Sequence, residues 1–299
     1  MDADFWHRKW ANDDIGFHEG AVNPLLVRHW PALALADGAR VFLPLCGKTL
    51  DIHWLLANGY RVAGAELSRL AVDQLFAELG VEPVVSRRGP VEHHGAPGLD
   101  IFVGDIFAVS AGLLGAVDAI YDRAALVALP EDMRRHYSAH LTAITAGAPQ
   151  LLVCFEYDQS LMAGPPFSIA GEEVMRHYRE AYEVTLLDRV DIPGGFRGRL
   201  PAQEAIWRLE RRAAGKRRVS PAPVDRDRPR WLPCFPGAPV PDGCRSMPCI
   251  GYGWRGEMPF RESTAAGSHR DAPSVPTAPP LPGSVCREWR REAMHALDI

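Results

Sequence analysis

Glu66 lies 20 residues after Cys46, and each stands at the end of an apolar run, Arg40–Leu45 and Arg61–Glu66. A carboxylate closing a second strand can accept both hydroxyls of a ribose. Asp105 and Ile106 close a third run, Leu99–Val103, where backbone groups can read an adenine ring while Ile106 packs on its face. Asp122 and Arg123 close a fourth, Val117–Tyr121, and the planar fork of Arg123 suits a carboxylate. The plainer readings are a surface acid at Glu66 and an Arg123 paired with Asp122 or Glu156. As a strand-end acid, Glu66 should contribute little to the core, so its loss should leave the fold intact. The turn after the first run, Leu45-Cys46-Gly47-Lys48, carries one glycine where a dinucleotide site has G-x-G-x-x-G. It therefore calls for a ligand without a pyrophosphate.

These residues need a sheet to bring them together. Helical segments are expected at Phe5–Ala11, Asn23–Trp30, Thr49–Asn58, Ser68–Leu79, Pro130–Thr145 and Glu172–Tyr182. Pro24 and Pro130 suit first turns, and Ser68 suits an N-cap. Gln150–Tyr157 is a long apolar strand of the kind buried on both faces. Val184–Asp191 and Ala205–Arg212 follow with no helix between them. Five β-α alternations predict an α/β fold with a doubly wound, mostly parallel, Rossmann-like sheet. The helix-free pair adds a terminal antiparallel strand, giving seven strands, the layout of class I methyltransferases. The ligand belongs beyond the carboxyl ends of the strands, at the topological switch point. S-adenosylmethionine meets the requirement: adenine, ribose diol, sulfonium and an amino-acid head with a free carboxylate, but no phosphate.

The chain has 299 residues, 47% hydrophobic and 23% charged, with a formal charge of −4. That balance predicts no nucleic-acid partner, and no apolar run approaches membrane-spanning length. The acidic start Met1-Asp2-Ala3-Asp4 lacks the features of a signal peptide, so a cytoplasmic protein is expected. Up to Arg212 there are 20 Lys and Arg against 28 Asp and Glu; beyond it, 13 against 9. A front of net −8 thus precedes a tail of net +4, which holds about half of the 26 prolines. The tail lacks sustained periodicity, which predicts a domain over 1–212 and disorder over 213–299.

Several segments bear a specific resemblance. Phe42-Leu43-Pro44-Leu45-Cys46-Gly47-Lys48, Gly64-Ala65-Glu66-Leu67-Ser68, the run from Tyr121 to Ala128 and Gly164-Pro165-Pro166-Phe167 resemble the thiopurine S-methyltransferase family, its bacterial branch most closely. So does the opening Phe5-Trp6-His7-Arg8-Lys9-Trp10 with Gly16-Phe17-His18. The resemblance covers residues 1 to about 210. It implies cofactor contacts at Trp10, Leu45, Glu66, Ile106 and Arg123. It also places Phe17 near the acceptor and Arg197 in the substrate pocket. The implied reaction is methyl transfer from S-adenosylmethionine to the sulfur of a small (hetero)aromatic thiol, with no metal and no catalytic side chain, by a monomer. Proximity, alignment and exclusion of water would carry it. The first helix with the Gly16–His18 loop, aided by Gly164–Phe167, would form the lid. The alternatives are methylation of selenium or tellurium oxyanions, thiocyanate or halide, and a non-catalytic cofactor-binding protein.

Other chemistry-bearing residues read as structural. His136 and His140 have i, i+4 spacing but no HExxH glutamate, and are expected on a solvated helix face without metal. His93-His94 should sit in an exposed loop. Cys46 lacks a triad and reads as a small packing residue. Cys234, Cys244, Cys249 and Cys286 form no paired C-x-x-C spacing, so zinc is not expected.

Overall fold

The computed structural model of the chain describes residues 3–196 and 198–212. Arg197, the tail from 213 onward and its four cysteines lie outside the described residues. The expectations for them are not addressed by the structure.

The strands are β1 (Arg40–Pro44), β2 (Arg61–Glu66), β3 (Val84–Arg88), β4 (Val91–Ala96), β5 (Leu99–Val103), β6 (Ala119–Arg123), β7 (Gln150–Tyr157), β8 (Tyr182–Asp191) and β9 (Ala202–Arg211). They form one sheet in the order β3-β4-β5-β2-β1-β6-β7-β9-β8. The five strands from β5 to β7 in that order are mutually parallel. β9 runs antiparallel to both β7 and β8. This is the expected doubly wound sheet with its terminal antiparallel strand.

The count differs: nine strands are present among the described residues, not seven, because a hairpin of β3 and β4 extends the β5 edge in antiparallel pairing. Its strands are short, β3 is largely exposed, and Gly89-Pro90 and Gly95 break the sequence pattern. Pairing with β5, which no local signal reports, holds it in place. The same pairing overturns the exposed-loop reading of His93-His94. His94 is 1% exposed and faces the Phe76 ring, while His93 Nε2 lies 2.8 Å from Asp100 Oδ1.

The helices are α1 (Ala3–Ala11), α2 (Pro24–His29), α3 (Leu50–Ala57), α4 (Arg69–Leu79), α5 (Ala111–Leu114), α6 (Glu131–Ile144) and α7 (Gly171–Tyr178). Side chains alternate across a strand, so β1 sends Val41 and Leu43 to one face and Phe42 to the other. Val41 and Leu43 join Leu26 of α2, Ile52 and Leu55 of α3 and Leu75 of α4. Phe42 joins Leu114 of α5, Tyr137 and Leu141 of α6 and Tyr178 of α7. β1 therefore leads to a helix on one face and its neighbour β6 to helices on the other. That divergence opens a crevice above their carboxyl ends. Caps fix where the helices begin: Asn23 Oδ1 accepts from Leu25 N at 2.9 Å, and Ser68 Oγ accepts from Ala71 N at 3.3 Å. Among the described residues, no helix is long and apolar enough to cross a membrane.

Candidate active site

The crevice between β1 and β6 opens into a cavity of about 490 Å³. Its floor is the turn from β1 to α3. Leu45 has φ +48° and Gly47 φ +52°, so two of three successive residues are left-handed. Leucine has no steric licence for that conformation, which typically costs roughly 1–3 kcal/mol. Ala124, just past Arg123, is also left-handed at φ +59°. Backbone strain is thus concentrated at both strand ends that flank the switch point. Gly47 is required twice over: besides its φ, a Cβ there would lie 3.0 Å from Trp10 Cζ2. Gly64 of β2 is required by contact alone, because a Cβ would meet Ile101 Cδ1 at 2.6 Å and Cys46 Sγ at 2.8 Å. Cys46 is buried, and burial together with Glu66 pushes its thiol well up. It packs and is no nucleophile at neutral pH.

Glu66 closes β2 as expected, with 6% exposure. It is more than a strand-end acid. Its Oε2 accepts from Gly47 N at 2.7 Å and its Oε1 from Ser68 N at 2.8 Å. The carboxylate thereby ties the β1–α3 turn to the start of α4, and the reading that it is unimportant for the fold is corrected. Burial pushes its pKa up, against the hydrogen bonds from Ser68, Gly47 and Leu67. Of the four lone-pair sites of the carboxylate, these three donors leave one for a ligand hydroxyl.

Arg123 ends β6 with its side chain 8% exposed. Neither Asp122 nor Glu156 is its partner. Nη2 pairs with Glu19 of the segment after α1, and Nη1 lies 3.9 Å from Asp51 Oδ2. Nε is buried with no hydrogen-bond partner. Burial works against its charge, but Tyr121, Asp51, Glu19 and Glu204 more than offset that. Asp51 is 1% exposed and fixed in turn, accepting from Asn23 N at 2.8 Å and from Tyr121 OH at 3.0 Å. Asp122 points the other way, accepting from Tyr137 OH at 2.8 Å and Leu126 N at 3.1 Å. Burial raises it to about 6 despite those bonds.

Ile106 opens a 3-10 turn, Ile106–Ala108, at the cavity wall. Asp105 Oδ1 caps that turn by accepting from Phe107 N at 3.0 Å. Here His140 of α6 departs from expectation. His140 is half-buried, with Nε2 3.0 Å from Ile106 O, and His136 stacks on Phe107 at 4.3 Å between ring centroids. Both touch the turn from outside; His136 is exposed, as expected of a solvated helix face, whereas His140 is not. Among the described residues, no group of three or more His, Cys, Asp or Glu could hold a metal.

The roof is α1 and the segment behind it. Trp10 is 5% exposed and meets Phe17 edge-on at 5.5 Å, while Trp6 meets Phe17 at 5.6 Å. Burial and Lys48 lower the pKa of His18, so it is neutral at pH 7. Met133, Phe155, Pro165, Pro166, Ile192 and Phe196 form an apolar lobe of the cavity wall. Phe155 and Phe196 meet edge-on at 5.4 Å. Phe167 N donates to Val127 O at 2.6 Å, and Arg134 lies over the Phe167 ring, which anchors the Gly164–Phe167 segment.

The structure thus brings Trp10, Leu45, Glu66, Ile106, Arg123 and Phe17 to one cavity. Sequence reasoning missed Glu19, Asp51, Glu204 and His140. Glu204 did leave a signal, an acid inside the apolar run of β9. Glu19 left none, because its place depends on the path of a loop.

The cavity can take a ligand that offers a hydroxyl to Glu66, a flat apolar ring to Ile106 and a carboxylate to Arg123. The orphaned Arg123 Nε and the Cβ-free floor at Gly47 match such a group. Comparison with known proteins agrees. Residues 1–212 match the family model described as thiopurine S-methyltransferase. The thiopurine S-methyltransferase of Xanthobacter autotrophicus is 59% identical over 212 residues, covering 71% of this chain and all of that protein. That of Teredinibacter turnerae is 50% identical over 211 residues, covering 71% of this chain and 98% of its own length. The solved structure of a protein described under conversion of a disulfide bond into a thioacetal group during echinomycin biosynthesis shares the fold. It has TM-score 0.50 and 16% identity, and the match covers 70% of this chain and 92% of that one.

Proposed function

The chain belongs to the thiopurine S-methyltransferase family and is an S-adenosylmethionine-dependent methyltransferase, and we propose that its acceptor is the sulfur of a small (hetero)aromatic thiol. The observation that carries this reading is the aromatic lobe of the cavity, walled by Phe155, Phe196, Pro165 and Pro166. Flat apolar rings are favoured there by area and by edge-to-face contact.

The bound cofactor supplies an activated methyl on a sulfonium, open to in-line displacement by a thiolate without a metal. The chain's own residues bind and orient. Glu66 holds the ribose diol, the Ile106 turn packs on the adenine, and Arg123 takes the amino-acid carboxylate. The strained floor at Leu45 and Gly47, under the Trp10 ring, lets backbone approach the ligand closely. Trp6, Trp10 and Phe17 exclude water, which keeps a thiolate poorly solvated and reactive. Residues 1–212 carry all of these groups, so we assign the catalytic unit to them.

Methylation of oxyanions, thiocyanate or halide is disfavoured by charge. Among the described wall residues, Lys9 pairs with Asp14, Lys48 with Glu78 and Arg123 with Glu19. Neither lysine is left unpaired to attract a small anion, and Arg123 is committed to the cofactor.

Calorimetric titration with S-adenosylhomocysteine, followed by an acceptor screen, tests the reading. Binding followed by methylation of aromatic thiols supports it. Binding with turnover of selenite or thiocyanate only would refute the acceptor assignment.

A further inference from the structure

Glu204 is a wall residue whose chemistry the preceding account does not use. It sits on β9 directly opposite Phe155 of β7, in register, so the two side chains leave the sheet on the same side. Phe155 belongs to the aromatic lobe, and Arg123 is close enough to Glu204 to act on its charge. The carboxyl therefore stands between the place for the cofactor's amino-acid end and the place for the acceptor ring. That is where the methyl group has to cross. Glu204 Oε1 is cut off from solvent and has no hydrogen-bond partner. A buried carboxylate oxygen left unpaired is destabilising, so it is retained at a cost to the fold. The charges that act on it come from three other parts of the chain: Arg123 at the end of β6, Glu19 behind α1 and Asp51 of α3.

We propose that Glu204 is a catalytic residue of this chain, the general base that takes the proton from the acceptor's S–H. This rests on the thiol-acceptor reading above. As the acceptor sulfur forms its bond to the methyl carbon, the bond from that carbon to the sulfonium breaks. The electron pair stays on the cofactor sulfur, giving a neutral thioether, and the acceptor's proton moves to the Glu204 carboxylate. Solvent takes the proton when the product leaves. Burial raises the pKa of Glu204 above the ordinary carboxylate value, against the opposing pull of Arg123, and Glu19 and Asp51 raise it further. A raised pKa makes it a stronger base. The Asn23 side chain holds the carboxyl in place. Thiols already ionised at neutral pH do not need this group, whereas weakly acidic thiols do.

The test compares two thiols that carry an aromatic ring but differ in acidity, the aryl thiol 4-nitrothiophenol and the alkyl thiol benzyl thiol, with the full-length chain, Glu204→Gln and Glu204→Asp. For benzyl thiol, Glu204→Gln should lower kcat/KM by about 100-fold or more, the usual contribution of a general base. For 4-nitrothiophenol the loss should be only a few-fold. Glu204→Asp should recover part of the benzyl thiol activity. The acid limb of the wild-type benzyl thiol pH profile should vanish in Glu204→Gln, leaving only the thiol's own ionisation. S-adenosylhomocysteine affinity, measured by calorimetry, should be unchanged, which also reports that the variant is folded. Equal losses for both thiols would overturn the proposal. So would a fall in S-adenosylhomocysteine affinity, which would place Glu204 at the cofactor's ammonium group. A wild-type chain that binds S-adenosylhomocysteine yet methylates neither thiol would instead refute the thiol reading itself.

Discussion

Replacing Glu66 by alanine should damage the fold as well as the cofactor site. The carboxylate accepts two backbone N–H groups, from Gly47 at 2.7 Å and Ser68 at 2.8 Å, in a place only 6% exposed. Alanine leaves both donors buried without partners, at roughly 1–3 kcal/mol each. Removing a carboxylate whose own burial is unfavourable gives part of that back. A net loss of about 2–4 kcal/mol is expected, which in a domain of this size lowers Tm by about 2–4 °C per kcal/mol. The midpoint should therefore fall by roughly 5–15 °C. Losing the ribose contacts should weaken cofactor binding separately by about 1.5–3 kcal/mol, or about 10- to 150-fold in Kd. Thermal unfolding gives the first quantity. Titration with S-adenosylhomocysteine, well below the variant's own midpoint, gives the second. An unchanged Tm would show that other groups satisfy the two N–H donors. An unchanged Kd, in a variant that has lost stability, would reduce Glu66 to a purely structural tie.

Glu19→Gln should tighten S-adenosylhomocysteine binding by about 2- to 10-fold, because the incoming carboxylate no longer has to displace a charged partner from Arg123 Nη2; 5′-methylthioadenosine, which lacks the carboxylate, should bind as before, and weaker binding of S-adenosylhomocysteine would refute the competition. Arg123→Lys should lower S-adenosylhomocysteine affinity despite the kept charge, since the planar fork is lost, and equal affinity by calorimetry would refute two-point contact. Asp122 has its folded pKa raised from 3.8 to about 6, so its contribution to stability is present below about pH 4 and is lost as pH rises through 6. Asp122→Asn should therefore be stabilising by up to about 3 kcal/mol at pH 7 and nearly neutral at pH 4, as read by urea unfolding at the two pH values; no difference between the pH values would refute the assignment. A chain ending at Arg212 should keep its S-adenosylhomocysteine affinity and turnover, since β9 closes the sheet at Arg211 and Arg212 N still donates to Ala181 O; a large loss of turnover would place part of the active unit beyond residue 212.

The sequence by itself determined the parts whose signals are local. Alternating apolar runs and amphipathic helices set the doubly wound sheet, and the missing helix between Val184–Asp191 and Ala205–Arg212 set its antiparallel end. Single residues at strand ends marked Glu66, Ile106 and Arg123, because in a parallel sheet the carboxyl end of each strand is where ligands sit. The turn at Gly47 was legible from its single glycine, while its left-handed backbone and the Trp10 ring against it came from the structure. Only the tertiary structure decided which groups those residues face. The β3–β4 hairpin exists because β5 offers it an edge, so its weak local pattern misleads and His94 is buried. Glu66 became a tie between two turns only when Gly47 and Ser68 converged on it. Arg123 met Glu19 from more than 100 positions away along the chain, and Glu204 reached the cavity wall through its register with Phe155. Pairing across such separations depends on how strands and loops close in space. Residue type and spacing along the chain carry no record of it.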